Sequence, residues 1–139
     1  MKLAWYVTSP FKSINPAFKP FYEDMAKRQK ELATELEAWA KSHELDLTSR
    51  YTNDPMSQGQ KIMEDRSEKE ARSDNQQDFE RDMLINMKQD FGWDTSLILA
   101  LQKQVTEPAL KTYLEKSLHA HEEGLVAVNV LLKKYKFAG

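Results

Sequence analysis

The sequence predicts an all-α protein, a four-helix bundle built from two pseudo-repeated helical hairpins, and three observations carry that expectation. The stretches Asn15-Pro16-Ala17-Phe18-Lys19-Pro20-Phe21-Tyr22-Glu23 and Glu107-Pro108-Ala109-Leu110-Lys111-Thr112-Tyr113-Leu114-Glu115 repeat one pattern, displaced by 92 positions (15 to 107). The same displacement sets Gln29 against His121, Leu36 against Val128, and Trp39-Ala40 against Leu131-Leu132. Apolar residues recur at steps of three and four through both copies, the seam spacing of a packed helix. No segment alternates apolar and polar residues over the length of a strand.

Residues 1–14 read as an arm whose aromatics, Trp5 and Tyr6, pack on the bundle, with Pro10 as a breaker. A helix can begin at Asn15 with Pro16 in its first turn, where a missing N–H is harmless, and Pro20 shifts the start towards Lys19 or kinks it. Phe18, Tyr22, Met25, Gln29, Leu32, Leu36, Trp39 and His43 mark its inner seam, and it ends near His43. Residues 45–53 form a connection closed by Asp54-Pro55, a cap followed by proline at the first helical position.

The second helix is poor in apolar residues (Met56, Ile62, Met63, Ala71), and Glu64 to Glu70 alternate in sign like a solvated face. Ser73-Asp74-Asn75 supplies a break and a new cap. The third helix carries Phe79, Met83, Met87, Phe91, Leu97, Ile98 and Leu101 and must pass through Gly92, which weakens a helix by roughly 1 kcal/mol relative to alanine. Thr106 caps the fourth, whose inner face is Leu110, Tyr113, Leu114, His121, Leu125, Val128, Leu132 and Tyr135. Leu36, Trp39, Val128 and Leu132 are expected in one core.

At 139 residues the chain suits a single domain, 1–139. A net charge of −2 argues against a nucleic-acid binder, and no apolar run approaches the roughly 20 residues of a membrane span. The cluster Lys133-Lys134-Tyr135-Lys136 suits a helix C-terminus. With no cysteine, disulfides, thiolate metal sites and cysteine nucleophiles are excluded. The apolar start Met1 to Val7 is too short for a secretory signal, so the protein is expected in the cytoplasm, or in the periplasm if a signal peptide preceded this chain.

Chemistry is sparse. Gln29 and His121 fall on inner seams, and Asn86 and Asp90, four apart on the third helix, could complete a polar layer able to bind a metal or a small polar ligand, or to fix helix register. Glu115, His119, Glu122 and Glu123 share a second helical face. No Glu-x-x-His pair of the di-iron type occurs, no Gly-x-Ser-x-Gly elbow, and four glycines cannot build a nucleotide cradle. No catalytic residue and no cofactor are therefore expected, and no stoichiometric metal. His121 is expected neutral and paired with Gln29, unless Asp90 meets it.

Phe18-Lys19-Pro20-Phe21-Tyr22-Glu23-Asp24-Met25-Ala26-Lys27-Arg28-Gln29 resembles a motif of the type Val-Lys-x-Phe-Ala-x-x-Met-Val-x-Asp-His, with Gln29 in the histidine position. Phe79 to Phe91 is similar to Phe-Asp-x-x-Tyr-x-x-x-Met-Val-x-Asp-His, with Phe91 in that position, and the stretch from Glu107 resembles a third signature whose histidine falls at Gly124. These are motifs of a bacterial family of ferritin-like, mostly periplasmic four-helix bundles, and the resemblance spans about 15–135. It implies a ferritin-like fold without the family's histidines. The functional expectation is a non-catalytic interaction or envelope-associated module with a protein partner; the alternative is a metal- or small-ligand-binding ferritin-like domain.

Overall fold

The computed structural model describes residues 18–46, 55–73 and 76–134. Four helices account for most of them: α1, Lys19–Ser42; α2, Pro55–Ser73; α3, Gln76–Gln102; and α4, Pro108–Lys134. The arm 1–14, the Asn15-Pro16 start, the connection 47–53, the Asp54 cap, Asp74-Asn75 and Tyr135 onward lie outside the described residues.

Each boundary has a local cause. Helix α1 opens at Lys19 with Pro20 in the first turn, the one place where proline's missing donor is not needed. It closes at the His43 C-cap in a Schellman motif: Leu45 N–H donates to Ala40 C=O (2.9 Å) and Glu44 N–H to Lys41 C=O (3.2 Å). Glu44 occupies the left-handed position, at φ 55°, where glycine is usual. Helix α3 passes through Gly92 unbroken. Helix α4 starts with Pro108 at N1, and Lys111 N–H donates to Glu107 C=O at 3.0 Å. Thr106 therefore stands one residue before the cap position.

The helices pack in the spatial order α2, α3, α4, α1, with α3 and α4 the most closely joined pair. Helices α1 and α4 run antiparallel: Arg28 reaches Glu123, Gln29 reaches His121, Glu35 reaches Lys116, and Trp39 reaches Glu107. The core gathers Phe18, Tyr22 and Met25 beside α1, Phe79, Met83, Leu84, Met87 and Phe91 from α3, and Val128 from α4, with Leu132 half-buried at its rim.

That antiparallel run corrects one expectation. Leu36 and Trp39 are only half-buried and do not share the core with Val128, because residues equivalent under the 92-position displacement sit at opposite ends of the pair. Leu97 and Leu101 also turn out exposed. Leu97 lies on the flank of α3, whereas Leu101 continues the stripe of Met83, Met87, Phe91 and Ile98 but stands in the last turn of the helix.

Candidate functional site

His121 is the centre of a polar layer where α1, α3 and α4 meet. Its position on α4 follows Leu114 and Ser117 and precedes Gly124 and Val128, all buried, so the imidazole is carried inward by the stripe itself. The residue is 6% exposed. Its Nδ1 lies 2.7 Å from the carbonyl oxygen of Ser117, one turn back, which fixes a proton on that nitrogen as the donor. Its Nε2 faces two groups at once: Asp94 Oδ2 of α3 at 3.3 Å and Gln29 Nε2 of α1 at 3.3 Å. The Phe91 ring meets the imidazole edge-on at a centroid distance of 5.7 Å.

Burial works against the charged imidazole, while the hydrogen bond and charge of Asp94 and the bond to the Ser117 carbonyl favour it; the balance raises the His121 pKa above its ordinary value. This departs from the expected neutral, amide-only pairing. Gln29 is in place, but a carboxylate is there too, and it is Asp94 rather than Asp90. One turn before Asp94 on α3, Asp90 is half-buried. Burial, with the neighbouring charges of Asp94 and Glu64, pushes its carboxyl up to about 6.

Of the other sequence candidates, Asn86 is half-buried on α3, and Glu115 is exposed on the outer face of α4. His119 is exposed as well and pairs with Glu123 at 3.0 Å. Glu123 is also the partner of Arg28, which in turn holds Asp24 at 3.0 Å, so a chain of surface charges ties α1 to α4. The Arg28 bond and the nearby His119 hold the Glu123 carboxyl below its ordinary range. Two members of the second candidate cluster, His119 and Glu123, thus belong to an interhelical ion-pair chain. Among the described residues, no three His, Asp or Glu side chains converge as a metal site.

Ser117, His121 and Asp94 superficially form a nucleophile, base and acid. The chemistry does not follow from the geometry. Ser117 Oγ is 3.4 Å from Nδ1, but that nitrogen spends its proton on the Ser117 carbonyl and offers the hydroxyl no lone pair. Both Ser117 and His121 are also buried away from any substrate. What the arrangement can do is bind or release one proton at Nε2 and, with it, change which helix the imidazole bonds.

Gln29, Phe91 and Gly124 lie together around this layer. Gln29 contacts His121, Phe91 abuts its ring, and the space a Cβ on Gly124 would fill is bounded by Phe91 Cε2 and Cζ at 3.0 Å and Met25 Sδ at 3.2 Å. Asp94 and Ser117 were missed by sequence reasoning. The available signal was that Asp94 lies one turn beyond Asp90 on the same flank, while Ser117 lies one turn before His121.

A second buried polar spot lies in the core itself. The Tyr22 hydroxyl is buried without a hydrogen bond, and burial, aided by the Glu80 carboxylate, raises its pKa.

The fold and this layer define the class: a cysteine-free all-α bundle with a buried imidazole met by a half-buried carboxylate and a half-buried amide between three helices. No family model, no curated protein and no solved structure matches the chain.

Proposed function

We propose that the protein is a non-catalytic interaction module that docks an amphipathic helix of a partner protein on the outer face of α2. One observation carries this reading: Ile62 and Met63, adjacent on α2, are each 58% exposed. Helix α2 packs mainly on α3, along a limited stretch, and leaves these side chains in water. Covering a large apolar side chain contributes roughly 1.5 to 3 kcal/mol, so two together reward a partner with an apolar stripe. Lys61, Asp65, Arg66 and Lys69 flank them with both signs of charge, which suits a partner helix of mixed charge better than an anionic or cationic surface.

A photo-crosslinker at Met63 in cells that make the protein tests this, with one at exposed Lys41 of α1 as the control. The expected result is a discrete adduct at 63, absent at 41 and lost in Ile62→Glu. No adduct at 63 above the control overturns the reading, and an adduct of twice the chain's own mass replaces the foreign partner with a second copy.

Kinship with the ferritin-like bundles is part of the proposal. It is supported by the meeting of Gln29, Phe91 and Gly124 in one place, although the motifs are far apart in the chain. An internal repeat has support of a different kind. In the antiparallel α1–α4 pair, positions facing one another sum to about 150, and the 92-position displacement then joins only residues near 29 and 121, which do touch. The displacement pairs the first and last helices, where a tandem copy of a hairpin would pair α1 with α3. Residence in the bacterial envelope follows from the family likeness, and cell fractionation tests it. Metal or ligand binding at His121 is disfavoured because both ring nitrogens already have protein partners.

A further inference from the structure

We propose that His121 is a proton-operated selector that ties α4 to α1 when neutral and to α3 when protonated. The number of hydrogens on one nitrogen decides which helix the ring can bond. Because Nδ1–H is committed to the Ser117 carbonyl, the neutral ring presents a bare Nε2, which can accept but not donate. At 3.3 Å the group able to donate to it is the Gln29 amide, Nε2–H, from α1. The Asp94 carboxylate, also at 3.3 Å, has no proton to give and faces the lone pair unfavourably.

A proton on Nε2 reverses both relations. The ring now donates to Asp94 Oδ2, while the Gln29 amide N–H confronts another N–H and must let go or turn its oxygen inward. The charge of Asp94 on α3 favours the second state, and beyond it Asp90 is acted on by Asp94 and by Glu64 of α2. From α1, Arg28 is already engaged by Asp24 and Glu123; on α4, Lys116 is engaged by Glu35. No cation therefore opposes the proton from either helix among the described residues. Against the opposing effect of burial, the hydrogen bonds to Asp94 and the Ser117 carbonyl raise the His121 pKa, so the change falls above the ordinary imidazole value of about 6.5.

The consequence falls on α1. Its remaining described polar ties to α4 are the exposed pairs Arg28–Glu123 and Lys116–Glu35 and the half-buried Trp39–Glu107 bond near its C-terminal end, so the Gln29 bond is one of two half-buried polar attachments and the one that can be switched by a proton on His121. Protonation moves that attachment to α3 and loosens α1 relative to the α3–α4 pair. This inference is independent of the docking face on α2.

NMR titration of the intact protein tests it by following the His121 ring and the Gln29 side-chain amide together. The two should move with one midpoint above about 6.5. Asp94→Asn should lower that midpoint by about 1 unit or more, since burial then dominates. Gln29→Met, which removes the donor to the neutral ring, should raise it. Amide protection factors of residues 25–36, relative to those of 114–128, should fall about tenfold as pH drops through the midpoint. A Gln29 amide that ignores the His121 titration, a midpoint moved in the same direction by both variants, or a constant protection ratio overturns the proposal.

Discussion

Two glycines on packed helices face opposite surroundings, and the difference decides what a methyl group does at each. Around Gly92 nothing lies within 4 Å of the position a Cβ would take. Gly92→Ala should therefore stabilise the protein by about 0.5 to 1 kcal/mol, through helix propensity and a less disordered unfolded chain. At Gly124 the same methyl would sit 3.0 Å from a Phe91 ring that is itself fully buried and cannot retreat. Overpacking of this kind costs roughly 1 to 3 kcal/mol, more than propensity returns, so Gly124→Ala should be destabilising. Urea titrations of the two variants should move in opposite directions from the parent. A stabilised Gly124→Ala would mean that α1, α3 and α4 meet less closely than the structure has them.

At the scale of the helix, the informative end is the C-terminus of α1. The backbone there completes both bonds of the Schellman motif, yet Glu44 rather than glycine holds the left-handed residue. A side chain in that conformation costs roughly 1 to 2 kcal/mol, part of which glycine gives back as unfolded-state entropy. Glu44→Gly should raise stability by about 0.5 to 1 kcal/mol, and thermal unfolding would show it. An unchanged or lowered melting point would locate the stop signal elsewhere. His43 supports the same terminus, with its ring stacked on Trp39 at 4.3 Å and Nδ1 donating to the Trp39 carbonyl at 2.9 Å. Trp39 then turns its indole N–H to Glu107 at 2.9 Å, so the end of α1 is tied to the start of α4.

Across the whole molecule, the buried ionisable groups give stability an unusual pH slope. Asp90 titrates near 6 when folded against an ordinary value of 3.8, so its burial is unpenalised while protonated in both states and becomes a penalty as pH rises from about 4 to 6. His121 has a raised folded pKa. Its contribution is complete below the unfolded value and is lost as pH climbs through the folded one. The two trends add. The urea midpoint should be higher near pH 5 than near pH 8, by about 1 to 2 kcal/mol once partial solvent screening of Asp90 is allowed for. Asp90→Asn should remove most of that difference, and a flat profile in the parent would show Asp90 to be well solvated.

How much of this was legible in sequence depends on which interactions set each feature. Pro55 and Ser73 mark helix boundaries because they act on their own backbone neighbours, and the structure begins or ends helices at both, while the cap expected at Thr106 falls one residue later. The steps of three and four that place Tyr22, Met25, Phe79, Met83, Met87, Phe91 and Val128 inside are likewise a property of one helix at a time. His121 and Gln29 could be singled out for the same reason, as polar residues on apolar stripes. What a stripe cannot show is the register and direction of the helix opposite. Asp94 instead of Asp90 beside His121, the separation of Leu36 and Trp39 from Val128, and the exposure of Leu97 and Leu101 all follow from antiparallel packing between segments distant in the chain. Local sequence thus determined the helices and their inner faces, because the energies that form them span four residues. The tertiary structure alone decided which faces meet, because that choice lies in side-chain fit between helices.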